Sequence, residues 1–140
     1  MPKTLTVDEL IVGDASGQHL RFTSNELYAH DKNGRPRIHL MIENGGSPYF
    51  ALHDGNGNAR IALGVDVDGS TYLTLYDGNH TPRLELKLDP DDSTPSFTVS
   101  DSAGQPLFIL GLDHTGKIAL AIPGDNHDLV PWVPPFEIVA

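Results

Sequence analysis

The sequence predicts an all-β protein: an antiparallel meander of repeated short hairpins. Three observations carry this. An acidic turn signal returns every eleven or twelve residues, the stretches between turns alternate apolar and polar residues, and no stretch sustains a 3.6-residue period. The signal runs Asp31-Lys-Asn-Gly34, Glu43-Asn-Gly-Gly46, Asp54-Gly-Asn-Gly57, Asp66-Val-Asp-Gly69, Asp77-Gly-Asn-His80, Asp89-Pro-Asp-Asp92, Asp101-Ser-Ala-Gly104 and Asp113-His-Thr-Gly116.

Residues 1–30 read as an N-terminal capping β segment. Asp14-Ala-Ser-Gly17 is a weaker turn, followed by Leu20 and Phe22 and then Leu27 and Ala29. Its spacing departs from the later units, as terminal caps of repeats do. Residues 31–122 read as four hairpin repeats of 23–24 residues. Aspartate at the first turn position accepts hydrogen bonds from the amides that follow it. Glycine three residues on takes the left-handed conformation of a bulged hairpin. The outgoing strands align Ile38, Leu40 and Ile42 with Ile61, Leu63 and Val65, then Leu84, Leu86 and Leu88, then Phe108, Leu110 and Leu112. The returning strands carry Phe50 and Leu52, Leu73 and Leu75, then Phe97 and Val99, and residues 117–122 form the last return. The third repeat holds one extra residue. Inside a ladder it would flip a strand to the wrong face, so it belongs in the turn at residues 89–95. Residues 123–140 form a proline-rich apolar tail, which runs extended because proline donates nothing to a ladder.

Alternation makes one face almost wholly aliphatic, while the other carries Arg37, His39, Arg60, Ala62, Tyr72, Thr74, Arg83, Glu85 and Lys87. Seven strands about 4.8 Å apart and about 20 Å long give roughly 700 Å² of apolar face. Soluble monomers rarely expose more than a few hundred. A closed up-and-down barrel, a two-layer sandwich or copies of the same chain would cover it. Equal short hairpins lack the long crossovers of a Greek-key sandwich, and no polar group lies inward to orient a barrel's cargo. The uniform row Leu40, Phe50, Leu63, Leu73, Leu86, Phe97, Leu110 suits a shaft that looks the same at every level. The expected arrangement is therefore a trimeric β-prism, with the closed barrel as its alternative. Its expected trimer core is Ile38, Leu40, Phe50, Leu52, Ile61, Leu63, Leu73, Leu75, Leu84, Leu86, Phe97, Val99, Phe108 and Leu110.

The pattern Asp-x-x-Gly-x-x-Arg-Ile/Leu-x-Leu-x-Val, then Asp-x-x-Gly-Ser, then Leu-x-Leu-Tyr-Asp resembles the β-hairpin repeats of trimeric fibrous proteins found in phage tail fibres and bacterial appendages. It covers residues 31–122. The resemblance implies an obligate homotrimer with a structural or attachment role: a short fibre, adaptor or scaffold in a phage-like or extracellular assembly.

Composition bounds the alternatives. The length of 140 residues fits one domain, and with no cysteine there is neither disulfide nor thiolate chemistry. The net charge of −10 argues against nucleic acid, whose backbone repels an acidic chain. No apolar run approaches membrane-spanning length, and no basic-apolar leader precedes Leu5, so the expectation is cytosolic synthesis without membrane insertion.

Candidate sites are few. Asp54, Asn56 and Asn58 invite a calcium reading. A helix-loop-helix calcium loop, however, needs Gly and Glu where Ala59 and Val65 stand. Asp89, Asp91 and Asp92 remain a possible donor set between chains. His30 and His53 hold one repeat position and point outward about 10 Å apart, too far to share a metal within one chain. His39 faces outward as well, so the histidines read as surface groups. The outward row Arg37, His53, Arg60, Tyr76, Arg83 reads as cross-strand packing, or as a stripe for an acidic glycan or partner. Ser16, Ser24, Ser93 and Ser102 lie in turns without a nucleophile-elbow context. No catalytic residue, cofactor or metal is expected. Trp132 and Phe136 mark the tail as a segment that docks on a neighbouring chain or another structural component.

Overall fold

Asp31, Asp54, Asp77 and Asp101 fold their turns in one way, and the sheet follows from those turns. The structure is a computed structural model that describes residues 6–91, 93–112, 116–123 and 129–132. At Asp54, Oδ1 accepts the amides of Asn56 at 2.8 Å and Asn58 at 3.1 Å. The Gly57 amide donates to the Asp54 carbonyl at 3.1 Å, and the Asp54 amide donates to the Asn58 carbonyl at 2.9 Å. Gly57 closes the turn at φ 88°, a region open to glycine because it has no Cβ to clash. His80 takes the same place at φ 61°.

The chain divides into two units, one ending at Val67 and the other starting at Asp68. The first holds β1 (Leu10–Gly13), β2 (His19–Phe22), β3 (Glu26–His30), β4 (Pro36–Ile42), β5 (Pro48–His53) and β6 (Ala59–Val65). The second holds β7 (Thr71–Tyr76), β8 (Pro82–Leu88), β9 (Pro95–Ser100), β10 (Pro106–Leu112), β11 (Ile118–Pro123) and β12 (Leu129–Trp132). Within each unit every strand pairs antiparallel with the next, so each unit is a meander. No helix occurs among the described residues.

The extra residue of the third repeat sits in its turn. Ser93 donates its amide to the Asp89 carbonyl at 3.0 Å and takes φ 58°. The ladder beyond it is undisturbed, with Leu88 opposite Pro95 and Leu86 opposite Phe97.

A second irregularity recurs at each repeat. Ala29 faces Ile38 while His30 faces Pro36, which leaves Arg37 as the extra residue of a β-bulge. Arg60 and Arg83 are the extra residues at the equivalent places. In the fourth repeat Leu107 takes that position. Pro36, Pro82 and Pro106 each open a bulged strand, where a missing amide donor is tolerated.

Register sorts the side chains into faces. In the first unit Leu27, Leu40, Phe50 and Leu63 form one row and Tyr28, His39, Ala51 and Ala62 form the row behind it. In the second, Leu73, Leu86, Phe97, Leu110 and Leu120 form the apolar row, backed by Thr74, Glu85, Thr98, Ile109 and Ala121.

Candidate functional site

The two faces are buried in the reverse of the order that a self-sufficient sheet would show. Ala51 and Ala62 are wholly covered and Thr74 nearly so, all on the mixed face. The leucine face of each unit is open: in the first, Leu40 keeps 48% of its surface exposed and Leu63 44%, and in the second Leu86 keeps 49% and Leu110 40%. These four are the middle leucine-face residues of β4, β6, β8 and β10. Their flanks Ile38, Ile42, Val65, Leu88 and Leu112 are exposed too. Scattered exposed leucines need no explanation, whereas apolar side chains exposed side by side in one row call for one. In the second unit the face dips into an apolar groove of about 270 Å³ lined by Leu86, Phe97, Leu110, Leu112 and Ile118.

The arginines of the outward row are tied into their own turns. Arg60 Nη1 lies 3.5 Å from Asp54 Oδ2, Arg83 Nη1 3.5 Å from Asp77 Oδ2, and Arg37 Nη1 3.8 Å from Asp31 Oδ2. Arg37 Nε also donates to the His53 carbonyl at 3.1 Å, and Arg83 Nε to the Ser100 carbonyl at 2.9 Å. The bulge turns each guanidinium back toward the aspartate six residues before it. Arg37, His53 and Arg60 belong to the first unit, and Tyr76 and Arg83 to the second.

The turn carboxylates are committed to backbone amides. The amides of Asn33, Asn56, Thr81 and Gln105 are the foremost cause holding Asp31, Asp54, Asp77 and Asp101 below the usual carboxylate value. Asp54, where the sequence invites a calcium reading that the residue pattern does not support, engages Asn56 and Asn58 with one oxygen and turns the other to Arg60. Among the described residues no three His, Asp or Glu side chains gather as metal ligands. Asp92 lies outside the described residues, as does Phe136, while Trp132 ends β12.

Sequence reasoning missed a cluster on the mixed face of the first unit. His19 stacks on His30 with ring centroids 4.3 Å apart, and Tyr28 stacks on His39 at 4.0 Å. Tyr28 also meets His30 at 5.5 Å, and His39 meets Tyr49 at 5.7 Å and His53 at 6.4 Å. The rings form a continuous ladder across β2, β3, β4 and β5. The histidines do face away from the leucines, but they are not freely exposed: His39 retains only 8% of its surface. Three imidazole nitrogens, His30 Nδ1, His39 Nε2 and His53 Nε2, are buried without a hydrogen-bond partner. Burial is the main cause holding His30 and His39 below the ordinary imidazole value, and it pushes the Tyr28 phenol up.

No protein-family model matches this chain, and no curated protein matches it.

Proposed function

We propose that this protein is a non-enzymatic structural or attachment module whose copies associate as a homotrimer, leucine faces inward, in a triangular β-prism. The observation that carries this is the open apolar face, whose middle leucines keep about half their surface in contact with water. The middle of each side of a triangular prism lies nearest the axis. That row holds the long side chains Leu40, Phe50, Leu63, Leu73, Leu86, Phe97 and Leu110, with β-branched Ile38, Ile61 and Val99 to one side. Burying roughly 700 Å² per chain approaches the area each partner gives to a standard stable interface. The role as a short fibre, adaptor or scaffold comes from the likeness of the Asp-x-x-Gly-x-x-Arg hairpin unit to repeats of trimeric fibrous proteins.

Light scattering behind size exclusion, at micromolar chain concentration, is expected to give the mass of three chains. A single-chain mass overturns the proposal. If native mass spectrometry then finds one chain with a small apolar cargo, the closed-barrel reading takes its place.

A further inference from the structure

We propose that the histidine–tyrosine ladder makes the first unit acid-labile, so that protonating its imidazoles loosens β2–β5 while the second unit holds. Three features carry this. The rings touch in sequence from His19 to His53, so a charge on one is felt by the next. Three of their nitrogens are buried with no acceptor to receive a new N–H. A buried donor without an acceptor loses the hydrogen bonds that water would give it.

The surrounding charges do little to offset that loss. From β2, His19 stands opposite His30 and Arg21 opposite Tyr28, and both disfavour a positive charge on His30. Arg21 is itself paired with Glu9. From the turn after β3, Asp31 favours charging of His30, but its carboxylate is engaged by Asn33, Arg35 and Arg37. His39 has Glu26 on β3, with Oε1 4.0 Å from Nε2, too long for a hydrogen bond. From β5 it meets Tyr49 and His53, and His53 opposes its charging. Glu26 is therefore the one carboxylate aimed at the centre of the ladder among the described residues. Burial outweighs it.

The direction follows from linkage. A histidine whose folded value lies below its unfolded one leaves stability intact above the unfolded value of 6.5. Stability is lost as pH falls from there through the folded value, because the unfolded chain binds more protons. Strands β8, β9 and β10 of the second unit supply an internal control, since they contain no histidine; the unit's stacked Tyr76–His80 pair lies before them.

The test is hydrogen exchange by mass spectrometry on the full chain at about pH 7.5 and about pH 5.5, with each amide corrected for its intrinsic rate. Protection in residues 19–53 is expected to fall at least about tenfold at the lower pH, with little change in residues 82–112. A His30→Phe, His39→Phe double variant keeps ring stacking and is expected to abolish the difference. Equal losses in both units, or no loss in the first, overturn the proposal. If the double variant does not fold, an NMR titration of the native histidines decides. Values for His30 and His39 below 6.5 sustain the proposal, and values at or above it overturn it. None of these outcomes depends on the number of chains in the assembly.

Discussion

A single backbone angle separates ordinary turns from strained ones in this protein. Gly57 sits at φ 88°, and Ser93 holds φ 58° with a side chain. Placing an L side chain there costs about 1 kcal/mol. Ser93→Gly is therefore expected to stabilise the fold by about 1 kcal/mol and Gly57→Ala to destabilise it by a similar amount, both read from urea midpoints. The turn aspartates set a separate acid limit. Amide donors hold Asp31, Asp54, Asp77 and Asp101 below 3.8, so their contribution is complete above that value and lost as pH falls below it. An acid titration followed by circular dichroism should show this loss well below the histidine window, and Asp54→Ala should reduce it. These turns were legible in the sequence because the chemistry is local: an aspartate, its next few amides and one left-handed residue. His80 at φ 61° confirms the series even where glycine is missing.

At the scale of the strand, alternation identified the faces and the pairing order but hid the bulges. Arg37, Arg60 and Arg83 looked like ordinary outward members of a ladder. Each is instead the extra residue of a β-bulge, a fact that lies in the cross-strand count and not in the local pattern. The clue was the proline before Arg37 and Arg83, which marks a place where a ladder donor is dispensable. Arg83→Met keeps the apolar stem but gives up the bond to the Ser100 carbonyl. It is expected to cost about 1 kcal/mol, measured by thermal unfolding. The histidine ladder was invisible for a different reason. His19 belongs to the irregular leading segment, and it meets His30 only because β2 and β3 pair in a register that repeat spacing does not set.

For the whole molecule the decisive property is the uncovered leucine surface. Leu73→Asp and Leu86→Asp should each abolish association, because a carboxylate at the proposed axis would be buried without a partner. Lys87→Asp, on the opposite face, should leave the sedimenting mass unchanged. Association of either leucine variant at the native mass would show that the faces are wrongly assigned to the interface.

The bulge, the aspartate turn and the tethered arginine return together every 23 residues from Asp31 to Asp77. Removing residues 31–53 would bring His30 directly before Asp54, where His53 stands now. β3 would then meet β6 with the same pairing that β5 has, and with its oily side unchanged. A protein so constructed can be shortened or extended by whole rungs through duplication or loss of one coding segment. The number of its strands is a heritable dial, free to vary while the face that each strand turns to its neighbours stays fixed.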